Sequence, residues 1–179
     1  MENPKVRFRV SLFVYSLVCD IPVSFFLCLA SAISAQAHFD SGVLTISFVT
    51  IDWLNMATNF VIALILSLII SNFVPLTAIG RWFTGLFHVP NETYAGNMKY
   101  RLLATLITSL IFFAIISPTL TIVNSFVFPL MHGQEPLSWQ QSLFIFVVNA
   151  PLMIVVGFVS SLINDLAAFR AAHAIDHSF

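Results

Sequence analysis

Hydrophobic and polar positions divide this chain into four long apolar runs separated by three polar connectors. The clearest run is Trp53 to Pro75, 23 residues without a charge. As an α-helix it would reach ~34 Å, enough to cross a ~30 Å hydrocarbon core. Its i+4 row from Asn55 reads Asn59, Ala63, Ser67, Ser71, small or weakly polar throughout. The other faces are Val, Ile, Leu and Phe. In lipid this is a spanning helix whose weakly polar row seeks other helices.

The same reading extends to the other runs. The first spans about 10–33 and carries the i+4 row Ser16, Asp20, Ser24, Cys28, with Pro22 inside it. The third covers about 101–128, with the row Thr105, Ser109, Phe113, Ser117, Thr121, Ser125 and Pro118 near its middle. The fourth covers about 140–168, with Asn149-Ala150-Pro151 in its first half and the row Gly157, Ser161, Asp165. The expected fold is therefore all-α: a polytopic membrane protein of four transmembrane helices in a single domain, 1–179.

The connectors are unlike one another. Residues 34–52 hold Gln36, His38, Asp40 and Asp52 around GVLTISFVTI, too short to span. An interfacial loop, or a helical extension lying against the bundle, is expected there. In 76–100 the segment TAIGRWFTGLFHV sets aromatics beside a cation, the composition of a membrane-interface segment with Trp82 at headgroup level. Residues 129–139, PLMHGQEPLSW, should turn tightly.

Composition agrees. The chain is 59% hydrophobic and 8% charged, against ~25% charged in an ordinary soluble domain. Fifteen charged side chains (seven basic, eight acidic) could not cover this much apolar surface in water. A net charge of −1 gives no basic patch to neutralise phosphates, which argues against nucleic acid as a partner. Cys19 and Cys28 lie nine residues apart on one helix, ~13 Å by helical rise, so they cannot pair. They read as small buried hydrophobes.

The distribution of the seven cations gives an orientation. Lys5, Arg7, Arg9, Arg81, Lys99, Arg101 and Arg170 all flank the start of span 1, the link between spans 2 and 3, or the end of span 4. The positive-inside rule then puts both termini in the cytoplasm, the parity that four spans demand. The basic start also resembles a signal peptide, but its apolar run is long and reads as an uncleaved first span. An offset of 90 residues superposes spans 1 and 2 on spans 3 and 4, matching Asn59 to Asn149, Ser71 to Ser161 and Arg9 to Lys99. Two parallel two-helix repeats would produce this. So would chance, because apolar helices align readily.

The run Trp53-Leu54, Phe60-Val61-Ile62-Ala63, Val74-Pro75 and Arg81 resembles the second helix of a bacterial membrane family of unknown function, the DUF2798 family. That family looks like a two-helix unit whose Trp-led second span is closed by Pro and Arg. The similarity covers residues 9–82. Over 101–170 the pattern departs: Pro151 comes early and no proline closes span 4. The resemblance implies a bacterial inner membrane and carries no activity.

Asp20 is the sharpest candidate for chemistry. It stands about eleven residues into span 1, expected near the bilayer middle, and reads as the only ionisable side chain deep in any span. Such a residue costs ~2.5–3.5 kcal/mol on insertion scales and usually faces a cavity or a partner. One reading is a proton or cation site with Ser16 and Ser24 one turn either side. The other is an Asp hydrogen-bonded across helices to Asn59 or Asn149. Asn55, Asn59, Asn124 and Asn149 either glue helices together or line a polar path; Asn55, Asn59 and Asn149 join Asp20, Ser16 and Ser24 as candidate ion- or substrate-binding residues. Asn55, Asn124 and Asn149 should lie toward the outer side, because spans 2 and 4 descend from outside and span 3 ascends; Asn72, Asn164 and Asp165 should mark the cytoplasmic end, with Asp165 hydrated or paired with Arg170.

The five histidines form no ligand cluster. His173 and His177 have i, i+4 spacing but no third ligand nearby. Asn91-Glu92-Thr93 matches a glycosylation acceptor on the side the cations assign to the cytoplasm, and is expected to be idle. No phosphate loop, zinc-protease helix, serine elbow or Cys-x-x-Cys occurs, so no cofactor or metal is expected and an enzyme is the least supported class. Two classes remain: an ion- or proton-linked transporter or channel, acting as a homo-oligomer, and a non-catalytic assembly, partner-binding or lipid-organising protein.

Overall fold

The computed structural model describes residues 10–35, 37–40, 43–46, 52–90 and 97–175. Helix α1 is Val10–Ala35, α2 is Trp53–Phe73, α3 is Leu76–Leu86, and α4 is Met98–Ile122. A π-helical turn, Val123–Val127, leads from α4 into the short α5, Phe128–Met131; the long α6 is Trp139–Ile175. Among the described residues four stretches are long and apolar enough to cross a membrane: Phe13–Ile33, Trp53–Phe73, Met98–Met131 and Trp139–Ile175. The all-α polytopic reading therefore holds, and the fourth helix runs seven residues beyond its expected end.

Local chemistry sets the helix ends. Asp52 caps α2 by accepting the Asn55 amide at 3.0 Å, satisfying one donor that a helix start leaves free. At the far end Val74 precedes a proline and is pushed to extended ψ of 130°, since the proline ring clashes with an α-helical residue before it. The chain turns there and restarts as α3. Asn97 caps α4 by accepting the Lys99 and Tyr100 amides.

The link after α1 departs from expectation. It holds an antiparallel hairpin, β1 (Ala37–Asp40) with β2 (Val43–Ile46), in register Ala37 to Ile46 and Asp40 to Val43. Val43, Thr45 and Ile46 are β-branched and favour a pleated backbone over a helix. The link is too short to span, and these residues pair with their neighbours instead.

The four long helices form a ring in the order α2, α1, α6, α4, with α4 closing back on α2 and α1 against α6 the most extensive packing. Small and polar residues face inward. On α1 the buried row is Ser16, Asp20, Ser24 and Cys28; on α2 it includes Ala63 and Ser67; on α4, Thr105 and Ser109; on α6, Gly157, Ser160, Asp165 and Ala168. Leu54, Val61, Ile65, Phe144, Val148, Val155 and Ile163 point outward. This inverts a water-soluble bundle. With lipid outside, burying leucine gains little, whereas small residues let helices approach and polar ones find partners.

Helix α3 lies against α4. A β-carbon added at Gly80 would sit 3.5 Å from Ala104 Cβ, and Thr84 is fully buried. Arg81 and Trp82 face outward, as an interface segment requires.

Candidate site: a buried carboxylate cavity

The inward faces of α1, α2, α4 and α6 enclose a cavity of about 70 Å³. Its polar lining is Tyr15, Cys19, Asp20 and Ser24 from α1, Ser67 and Ser71 from α2, Thr105 and Thr108 from α4, and Ser161 and Asp165 from α6. One water needs ~10–15 Å³ and two to four polar partners, so this space can hold several. A second cavity of about 30 Å³ adjoins it, sharing Val23, Leu27, Phe112, Ile116 and Ser161, and reaches Ser117, Leu120 and Met153. From Thr105 to Leu120 along α4 the two cover sixteen residues, a rise of ~22 Å.

Asp20 is 5% exposed and accepts a hydrogen bond from the Ser71 hydroxyl at 3.0 Å. The bond crosses from α1 to the last turn of α2. Asp20 lies seven residues inside the apolar stretch Phe13–Ile33, ~10 Å from its start and ~4–5 Å from its middle residue, so it sits near the centre of that stretch, as expected. Its cross-helix partner is neither Asn59 nor Asn149. Ser24 lines the cavity with it, and Ser16 is buried one turn away.

Asp20 is not the only deep ionisable group. Asp165 is 2% exposed and is paired with Arg101 rather than Arg170. Tyr15 donates its phenolic hydroxyl to Asp165 Oδ1, and Arg101 Nε stands 3.6 Å from Oδ2. Arg101 Nη2 also donates to the Leu162 carbonyl at 3.4 Å. The helical period explains the correction. Five residues separate Asp165 from Arg170, ~140° around the helix at 3.6 residues per turn, so the two face different neighbours. Helix α6 also continues ten residues past Asp165, which keeps that position inside the bundle.

The asparagines do not join Asp20. Asn59 and Asn124 exchange side-chain hydrogen bonds, each Nδ2 donating to the other's Oδ1 at 3.0 Å, and Asn59 also donates to Asn55. This cluster joins the start of α2 to the end of α4, at the opposite end of the bundle from Asp20. Asn149 is half-buried on α6, outside both groups. Asn72 and Asn164 donate to the carbonyls of Leu68 and Ser160 on their own helices.

The π-turn belongs to the asparagine cluster. Phe128 N–H reaches back five residues to Val123 O. Pro129 has no N–H for the Ser125 carbonyl, and the Leu137 amide fills that place at 2.9 Å. The widened turn holds Asn124 where its carboxamide meets Asn59.

Sequence reasoning missed Arg101, Tyr15 and the inward role of Asp165. A signal existed for Arg101: it begins the i+4 series Arg101, Thr105, Ser109 on the polar row of α4. Nothing in the sequence marks Tyr15.

Thr105 Oγ1, Ser109 Oγ and Asp165 Oδ2 are buried and have no hydrogen-bond partner among the described residues. Buried polar atoms of this kind are rare, and an unplaced water or ion is a standard explanation. Comparison adds no precedent: no family model, no curated protein and no solved structure matches the chain.

Proposed function

We propose that this multi-pass membrane protein is an ion- or proton-linked transporter or channel of the bacterial inner membrane, with Asp20 as the ion-carrying carboxylate. One observation carries the reading: two buried carboxylates share a cavity, and only Asp165 has a cationic neighbour among the described residues. An uncompensated carboxylate in a low-dielectric interior is costly, so Asp20 calls for a proton or a cation from outside the chain. Intramembrane carboxylates in such settings mark ion pathways and proton relays.

The cavities stop at Leu120 and Met153, and the Asn59–Asn124 pair lies beyond. The space beside Asp20 extends toward the asparagine end without reaching it, which supports a route that begins at Asp20. Arg81, Lys99, Arg101 and Arg170 belong to the ends of helices gathered at the Asp20 end, so the positive-inside rule makes that end cytoplasmic. Four helices enclose only a narrow route, and a homo-oligomer is the working state. The inner-membrane assignment rests on the family resemblance of residues 9–82.

Ion flux in proteoliposomes, wild type against Asp20→Asn, tests the proposal. Flux in the wild type that is lost in Asp20→Asn is expected. Equal flux in both, or none in either, favours the non-catalytic assembly or partner-binding class.

A further inference from the structure

We infer that the cavity beside Asp20 binds one small monovalent metal cation of the sodium class, held by the Asp20 carboxylate and the hydroxyls of Ser24, Ser67, Ser71 and Thr105. This deepens the reading of Asp20 as the ion carrier and rests on it.

Charge sets the valence. Asp20 and Asp165 contribute two negative charges to the cavity, and Arg101 beside Asp165 contributes one positive charge. The remainder is a single negative charge at Asp20. One monovalent ion neutralises it; a divalent ion would leave a net positive charge in a low-dielectric site.

Donor chemistry separates a metal cation from a bare proton. The lining supplies oxygen, the ligand type of hard cations. Ser71 spends its proton on Asp20 and Ser67 spends its proton on the Leu64 carbonyl. Both oxygens therefore keep lone pairs for a cation in the cavity that they line. Thr105 Oγ1 is buried, borders the same space and has no partner among the described residues. A proton on Asp20 would settle the charge and leave that oxygen to water alone. A cation uses all of these oxygens together, with room left for water.

The test uses the full-length chain in detergent, followed by thermal unfolding in NaCl, KCl and choline chloride at equal ionic strength. NaCl should raise Tm above choline chloride in a saturable way, because a ligand that binds only the folded state stabilises it. The rise should vanish in Asp20→Asn. In Thr105→Val the half-saturating NaCl concentration should increase about tenfold, the size of one lost good ligand, and Thr105→Ser should restore it. If Thr105→Val does not fold, Ser24→Ala and Ser67→Ala read the same shift. Equal Tm in all three salts, or a sodium effect that survives in Asp20→Asn, overturns the inference. Asp20-dependent proton flux with no discrimination among salts would overturn this inference alone and leave the proposed function standing.

Discussion

Ser71 on the last turn of α2 donates to Asp20 on α1, yet no positive group among the described residues approaches that carboxylate. Asp20 therefore combines a fixed position with an unanswered charge. Asp20→Asn keeps the hydrogen-bond acceptor and the volume while removing the charge. It should fold nearly as the wild type does in detergent, with Tm within a few degrees. Unfolding of Asp20→Asn alongside a stable Asp20→Leu would mean that the side chain is packing material, and would remove the basis for a site.

Arg101 and Asp165 should behave in the opposite way. Removing one partner of a buried pair strands the other, at ~3–5 kcal/mol, while replacing both by apolar groups is often neutral. Arg101→Met and Asp165→Leu should each destabilise strongly, and the double variant should recover most of the loss. Denaturant titration of the four proteins measures the coupling. Additive losses would mean that the 3.6 Å approach carries no energy.

The Asn59–Asn124 pair is expected to couple as well. Interhelical hydrogen bonds in membranes average ~0.6 kcal/mol and reach ~1.7. Two reciprocal bonds should place the coupling of Asn59→Leu with Asn124→Leu near ~1 kcal/mol. Zero coupling would show that each amide finds an equal partner elsewhere.

Gly157 tests the packing of α1 on α6. A β-carbon there would lie 3.5 Å from Leu27 Cδ2, ordinary contact beside the smaller cavity. Gly157→Ala should leave stability unchanged within about 0.5 kcal/mol. Gly157→Leu should cost ~1–3 kcal/mol by overpacking. Equal tolerance of both, read from unfolding midpoints, would mean that the α1–α6 interface is loose.

Most of the fold was legible in the sequence because lipid imposes a simple rule. Each span had to be long and apolar, and its inward row had to be small or polar. The rows Ser16–Asp20–Ser24–Cys28 and Ala63–Ser67 are buried as the i+4 spacing implied. The hairpin at 37–46 was missed because eight residues of marginal hydropathy carry little periodicity. The site was half legible. Asp20 stood out as a charge in an apolar run, but its partners depended on how four helices rotate against one another, and no single-helix pattern reports that. In the sequence Arg101 looks like one more flanking cation, and Asp165 lies close to the expected span end because nothing there reports the full length of α6. Helix direction in the sequence sets Asn55 and Asn124 at the same end, and the structure joins both through Asn59; what the sequence does not show is that Asn59 sides with them and not with Asp20.

Carbodiimide labelling tests the central claim most directly: Asp20 carries an unanswered charge that takes up a proton or cation, and Asp165 does not. A hydrophobic carbodiimide adds to a carboxyl group that holds a proton, and spares one held as an anion by a guanidinium. Membranes in sodium-free buffer would be treated and the chain mapped by mass spectrometry. Adduct at Asp20 and none at Asp165 is the expected result. Adduct at Asp165 with Asp20 untouched, or at neither, would contradict the division of roles on which the proposed function stands.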